Sequence, residues 1–418
     1  MIARVGDKLP QSGTGYGSVR ERGKGNPLKV VAFLERYLQP DQTFIFRQMS
    51  GLPSCAVRYV ARYRVPQHPY SEEKVHYFGS ARADKQGVIA WRLFRLQQIA
   101  TRRYTWLTRN ESRRLARLVM EFGPDVVHAH WAPDAMLVAP LCREHRIPLL
   151  VHFHGYDASR LMRDRIYVAN VRKLLRERAV AVTVAESMRQ RLLSLGVGKD
   201  RIHCHYTGVP EEYFVPGVRC APEPGRFVLL QVGRLAETKG HRYAVAAMAA
   251  ARRSVDGLRL RIVGDGELER DIRIQIDALG MTRSIEIVGR LSPTAIIKEM
   301  RQADALMLPS CTASDGCMEG LPNVAVEAMA AGLPVIGTRH SGIPEALRYR
   351  ERGWLAPEAD PEALADRIQR LASDQDLWTR LSEEGRQIAR TDFHLPTQNA
   401  KLEALYASLV SSVRTTPT

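Results

Sequence analysis

The stretch RFVLLQVGRLAETKG, residues 226–240, decides the architecture of this chain. Its first half is an almost continuous apolar run, the pattern of a strand covered on both faces rather than on one. Gly233 breaks the run, and Arg234 and Lys239 then precede RYAVAAMAAARRSV, which has the length and composition of a helix. Strand, glycine turn and helix in that order make half of a parallel βαβ unit.

The same order recurs in both directions. Downstream come LRLRIVG (258–264), SIEIVG (284–289), ALMLP (305–309) and LPVIGT (333–338). Upstream come LKVVAFL (28–34), AVRYVARY (56–63), DVVHAHW (125–131), IPLLVHF (147–153), AVAVTVA (179–185) and RIHCHY (201–206). Helical segments such as SMRQRLLSLG separate them, and VPGVRCAPEPGR (215–226) joins the two series. The expectation is an α/β chain of two doubly wound, Rossmann-like domains, 28–214 and 227–394, with a linker at 215–226 and a terminal helical segment at 395–418. Residues 1–27 read as a disordered basic tail, and its GTGYGS (13–18) lacks the preceding strand that a phosphate-binding loop requires. In such folds ligands bind outside the carboxyl ends of the strands, here at a cleft between the domains.

With 45% hydrophobic and 25% charged residues, the composition is that of a soluble globular enzyme. No apolar run reaches the ~18 residues of a membrane span, and the N-terminus has no secretory apolar core. Six scattered cysteines without a C-x-x-C pair favour reduced thiols in a cytoplasm. The formal charge of +16 calls for nucleic acid, an anionic membrane or an anionic substrate as partner. Eight arginines against one glutamate fall in residues 91–117, interleaved with Trp91, Phe94, Tyr104 and Trp106. That mixture suits a helix resting on an anionic bilayer; the alternative is a solvated face whose aromatics enter the core.

Chemistry concentrates in the second half. Gly233, the turn Gly264-Asp265-Gly266 and the pair Gly289-Arg290 each follow a strand. Glycine there lets backbone N–H groups approach a ligand, and helix starts attract phosphate. Arg234 and Lys239 add two cations suited to a diphosphate. EGLPNVAVE (319–327) carries a carboxylate on each side of a helix start: Gly320, Leu321 and Pro322 form the loop, Asn323 is the expected cap of a helix over 324–331, and Gly332 stops it. Carboxylates that accept from vicinal hydroxyls, around N–H groups that hold phosphates, describe a nucleotide-sugar site. Two carboxylates flanking a sugar would also suit glycoside hydrolysis, but the cations favour a phosphate leaving group.

EGLPNVAVEAMAAGLPVIGTRHSGIPEAL resembles the Glu-x7-Glu signature of the retaining GT-B glycosyltransferases of family GT4. VGRLAETKG, GDGELE and VHFHGYD are similar to that family's other motifs in the same order, from about Leu28 to the end. PDQTFI, HAHWAPDA, HFHGYDAS and LPSCTASDGCMEGLP most resemble the colanic-acid and amylovoran exopolysaccharide enzymes. The resemblance implies a GT-B fold whose last helix crosses back onto the N-terminal domain. It implies a hexose moved, with retention, from a UDP- or GDP-sugar to a polyprenyl-diphosphate-linked saccharide, at the cytoplasmic face of the membrane. By the same resemblance, Glu327 holds the ribose and Glu319 the donor sugar, with the N–H groups of Gly320 to Asn323. Arg234 and Lys239 hold the diphosphate, the GDGE turn and Gly289-Arg290 flank the base, and His154 faces the sugar across the cleft. Where many members have a Gly-Gly loop after the first strand, this chain has ERYLQPDQTFI (35–45), so the acceptor contacts do not carry over.

Other readings compete. The same scaffold serves nucleotide-sugar epimerases and glycogen-synthase-like enzymes, or a degenerate donor-binding homologue; a basic nucleic-acid-binding protein would be a different class, but no recognition helix is legible. Three His-x-His pairs, His128/His130, His152/His154 and His203/His205, share strand faces, yet no cysteine or carboxylate completes a metal set in any of them. Asp374-Gln-Asp376 reads as solvated surface. The expectation is no essential metal or cofactor.

Overall fold

The computed structural model describes residues 26–415 except 38, 40–41, 66–69, 80–87, 178, 216, 218, 224 and 351–353. The tail with its GTGYGS decoy, apart from residues 26–27, lies outside the described residues.

Among the described residues, seven strands form the first sheet: β1 (Leu28–Arg36), β2 (Cys55–Tyr63), β3 (Val75–Tyr77), β4 (Val126–His130), β5 (Leu149–Phe153), β6 (Val180–Thr183) and β7 (Ile202–Cys204). They lie in the order β3-β2-β1-β4-β5-β6-β7. Five form the second: β8 (Phe227–Val232), β9 (Leu258–Val263), β10 (Ile285–Gly289), β11 (Ala305–Leu308) and β12 (Val335–Gly337), ordered β10-β9-β8-β11-β12. Every pairing is parallel. The order reverses beside β1 in one sheet and beside β8 in the other, and at such switch points a crevice opens at the carboxyl ends. The two crevices face each other.

The apolar runs account for this. β4, β5 and β6 are buried at every position, as strands with helices on both faces must be. β3 went unanticipated: three half-buried residues, VHY, give no readable pattern. The helix Leu395–Thr415 returns to the first sheet, where Leu402 and Tyr406 are fully buried against Val30, Leu150 and Val182. Its attachments include His205 Nε2 to the Gln398 carbonyl at 2.8 Å and Asn399 Nδ2 to the Gly51 carbonyl at 2.7 Å.

One expectation needs correction. Pro322, not Asn323, occupies the N-cap of the helix Asn323–Ala330. Asn323 is already helical, and its Oδ1 is buried without a partner. Proline suits the boundary because its fixed φ and missing N–H cost nothing there. Asp374, Gln375 and Asp376 are exposed, as expected, and Asp374 also caps the helix Gln375–Asp392, its Oδ1 accepting from Leu377 N at 2.8 Å.

Candidate active site

The facing crevices enclose a cavity of about 680 Å³. Its C-terminal wall is built from Gly233, Arg234, Lys239, Gly264, Asp265, Arg290, Glu319 to Asn323 and Glu327; His154 and Arg47 face it from the N-terminal domain. Two expected residues do not line it. Gly266 packs on backbone, where an added Cβ would lie 2.6 Å from the Leu235 carbonyl oxygen. Gly289 turns the chain at φ 83°, and Arg290 after it reaches the cavity.

Lys239 Nζ lies 3.0 Å from Glu319 Oε2, and both side chains are largely buried. The lysine follows Gly233 closely; a Cβ at that glycine would meet the lysine stem at 3.2 Å. Both cations precede the helix His241–Ala251, Arg234 in the loop and Lys239 at the end of the single 3-10 turn Glu237–Lys239. Arg234 pairs with Glu267 at 3.0 Å in an exposed setting. Arg290 grips Asp265 through two nitrogens at 2.9 and 3.1 Å, and that fork holds the Asp265 carboxyl below its usual range.

Glu319 is held by its own backbone. Its N–H donates to His340 Nε2 at 3.1 Å, and His340 Nδ1 lies 2.8 Å from Glu358 Oε1. Nε2 accepts there, so the Nδ1 proton goes to Glu358. Ser341 Oγ donates to the Glu319 carbonyl at 2.7 Å. Gly320 meets the opposite domain: a Cβ there would stand 2.5 Å from the His154 carbonyl oxygen and 2.6 Å from Val184. Gly155, at φ 149°, faces the same loop from the other side, where an added Cβ would stand 3.1 Å from Gly320 N. The two motifs therefore touch backbone to backbone, which only glycine permits at both places.

The loop carrying His154 hangs on Asp157. This buried carboxylate accepts from the N–H groups of His154 (3.0 Å), Gly155 (3.1 Å) and Ala132 (3.2 Å). Burial outweighs those bonds and pushes its pKa up to about 6. His154 is pushed down to about 3, first by burial and then by His128, so it is neutral at physiological pH.

The most consequential residue missed from sequence is Arg47. Its Nη1 lies 3.0 Å from Glu327 Oε1 and its Nη2 donates to Tyr213 Oη at 3.0 Å. Burial raises the Glu327 pKa, and the Arg47 charge opposes that shift. Arg47 and Glu327 are 280 residues apart, so nothing local in the sequence signals the pair.

Two of the His-x-His pairs, His128/His130 and His152/His154, come together on adjacent strands. Ligand atoms of His128, His130 and His152 lie within 4.8 Å of one another. The rings stack nearly parallel, at 13–25°, a geometry in which in-plane lone pairs do not converge on one ion. Among the described residues, these three rings make two hydrogen bonds outward, His128 Nδ1 to Tyr406 Oη at 2.6 Å and His130 Nδ1 to His154 Nε2 at 3.2 Å.

Comparison with known proteins agrees with this geometry. The family model "Glycosyl transferases group 1" matches residues 221–388, and "Glycosyltransferase Family 4" matches 62–213. A putative colanic acid biosynthesis glycosyltransferase, WcaL, of Salmonella typhimurium is 30% identical over 91% of this chain and 100% of its own. The Escherichia coli protein of that name is 32% identical over 74% of this chain and 79% of its own. Anabaena Alr3699/HepE, solved in complex with UDP-glucose, superposes with a TM-score of 0.69 at 18% identity, over 91% of this chain and 100% of that one. Two parallel sheets facing one cleft, and relatives that extend across both, place this chain in the GT4 family of GT-B glycosyltransferases.

Proposed function

We propose that the chain moves a hexose, with retention, from a UDP- or GDP-sugar to a lipid-linked saccharide during synthesis of an exopolysaccharide. The observation that carries this reading is the Lys239–Glu319 pair at 3.0 Å beside the start of the helix Asn323–Ala330. An ammonium next to free backbone N–H groups suits a diphosphate, and a carboxylate on its other side suits a sugar hydroxyl. The buried, unpartnered Asn323 Oδ1 offers a further acceptor there. In the transfer, the bond from the anomeric carbon to the phosphate oxygen breaks while the acceptor oxygen bonds to that carbon on the same face. The acceptor's proton passes to the departing phosphate oxygen. Lys239 and Arg234 offset the charge that develops on that phosphate, so the step requires no metal ion. The exopolysaccharide role draws on the names of the Salmonella and Escherichia coli relatives, and the nucleotide sugar on HepE's ligand.

A thermal-shift screen with UDP- and GDP-sugars tests the donor, since a ligand bound only by the folded state raises the midpoint. Glu327→Ala is expected to weaken nucleotide binding by roughly 10- to 100-fold, the loss of charge-assisted bonds to two ribose hydroxyls. No midpoint shift with any nucleotide sugar would overturn the reading.

The basic segment supports a docked position at the cytoplasmic face of the membrane. Leu96 and Ile99 of the helix Val88–Thr101 are 62% and 57% exposed, beside exposed Arg92, Arg102 and Arg103. The aromatics do not take part: Phe94 stacks on Trp106 at 4.8 Å, and Tyr104 packs on Tyr167. The Trp91 side chain lies outside the described residues. At ~1 kcal/mol per arginine, neutralising Arg92, Arg102 and Arg103 is expected to weaken binding to phosphatidylglycerol vesicles by roughly 100-fold. Partitioning unchanged from wild type would remove the membrane from the proposal.

A further inference from the structure

The Arg47–Glu327 pair joins the two domains across the donor cleft, and both side chains line the cavity. Arg47 comes from the helix Thr43–Ser50 of the N-terminal domain, and Glu327 from the helix Asn323–Ala330 of the other. The guanidinium also reaches Tyr213: Nη2 donates to its hydroxyl at 3.0 Å, and the guanidinium carbon lies 5.1 Å from the ring centre. One planar fork thus spans a carboxylate and a phenol, which fixes its orientation. The pair engages Oε1 of Glu327 and leaves Oε2 outside it.

Burial decides what this contact does. An ionised carboxylate held away from water is costly unless a charge compensates it. The Glu212 charge works with burial to raise the Glu327 pKa, whereas the Arg47 charge and the Tyr213 hydroxyl oppose that rise. Among the described residues, Arg47 is the one cation paired with Glu327. A protonated carboxyl would lose its charge-assisted acceptance from a hydroxyl, and an unpaired one would be free to turn. Arg47 keeps the group ionised and sets its plane at once.

We propose that Arg47 is a positioning residue for the donor: anchored on Tyr213, it holds Glu327 so that Oε2 receives a ribose hydroxyl. The inference rests on the donor reading above, in which Glu327 binds the ribose. The N-terminal domain thereby contributes to nucleotide affinity through a carboxylate of the other domain. A purely structural clamp between the domains would not distinguish ribose from deoxyribose.

Calorimetric Kd values on the full chain test this, with UDP, GDP and their 2′-deoxy and 3′-deoxy forms as probes. Wild type is expected to bind at least one deoxy form roughly tenfold more weakly than its parent, the share of one hydrogen bond to a charged group. Arg47→Met should weaken the parent nucleotide roughly tenfold and leave that deoxy form within about twofold, because the deoxy form has no such bond to lose. Arg47→Lys keeps the charge and should retain a discrimination of at least about threefold. In a Glu327→Gln chain, Arg47→Met should add less than about twofold, since the pair acts as one unit. That comparison leaves no unpaired buried acid, so it holds even where the single variant fails to fold. Unchanged affinity in Arg47→Met, equal weakening of parent and deoxy forms, or a full further loss in the Glu327→Gln chain overturns the positioning role and leaves the donor reading standing. A wild type that binds parent and deoxy forms alike overturns the ribose role of Glu327, and the proposal with it. A wild type that binds neither nucleotide overturns the donor reading itself.

Discussion

Lys239→Ala is expected to lower the rate of transfer by roughly 10²- to 10³-fold, the usual cost of losing one preorganised group aimed at developing charge. The ammonium is held from three directions. Glu319 pairs with it at 3.0 Å, Gly233 leaves room for its stem, and the Lys239 carbonyl accepts from Gln231 Nε2 at 2.9 Å. It therefore meets the phosphate without reorganising. Removing it has a second effect, since Glu319 then faces the diphosphate as an uncompensated negative charge. Ground-state binding falls less, because Arg234 and the helix N–H groups remain. Single-turnover rates and nucleotide Kd, measured side by side, separate the two effects. A variant that loses affinity but keeps its rate would contradict the role. Lys239→Arg is expected to rescue only in part, because a planar fork does not fit the place of a compact ammonium.

Acidification from pH 7 to pH 5 is expected to destabilise the fold by several kcal/mol. His128, His130 and His152 are fully buried and held well below the usual histidine range by burial, and His154 is held at about 3. The unfolded chain takes up protons near pH 6.5 and the folded one does not, so this stability is complete above that pH and is lost as pH falls below it. Each such group costs roughly 2 kcal/mol over the two units, so the four together cost up to about 8 kcal/mol. Buried acids work in the opposite sense. Asp157, raised to about 6, returns about 1.3 kcal/mol as it protonates, and Asp134 and Glu327 are shifted in the same direction. A net loss of several kcal/mol is a large fraction of the whole stability of many domains. Urea midpoints at pH 7 and pH 5 measure it, and His152→Leu should flatten the slope by one group's share. Equal midpoints at both pH values would mean that these imidazoles reach solvent.

The histidines show what could and could not be read from the chain. Their alternation in VVHAH and VHFH placed each pair on one strand face. Only the register of β4 beside β5, with His130 opposite His152, stacked the pairs into one array. Arg47 is a starker case. It lies in an ordinary short helix, Thr43–Ser50, and becomes the partner of Glu327 only when that helix and the helix Asn323–Ala330 face each other. Asn323 illustrates the limit of local rules: asparagine is a strong cap former, yet the proline before it already fixed the boundary.

The order of strands, glycine turns and helices was determined by the sequence itself, because burial on both faces leaves a continuous apolar run and a close backbone approach leaves a glycine. The Glu319–Glu327 segment was legible because its loop and helix lie next to each other in the chain, whereas Lys239, 80 residues from Glu319, meets it only across the strand ends. What crosses the cleft was decided only by the tertiary structure. The Gly155–Gly320 contact and the Arg47–Glu327 pair join segments more than a hundred residues apart, and local periodicity carries no record of which ends will meet.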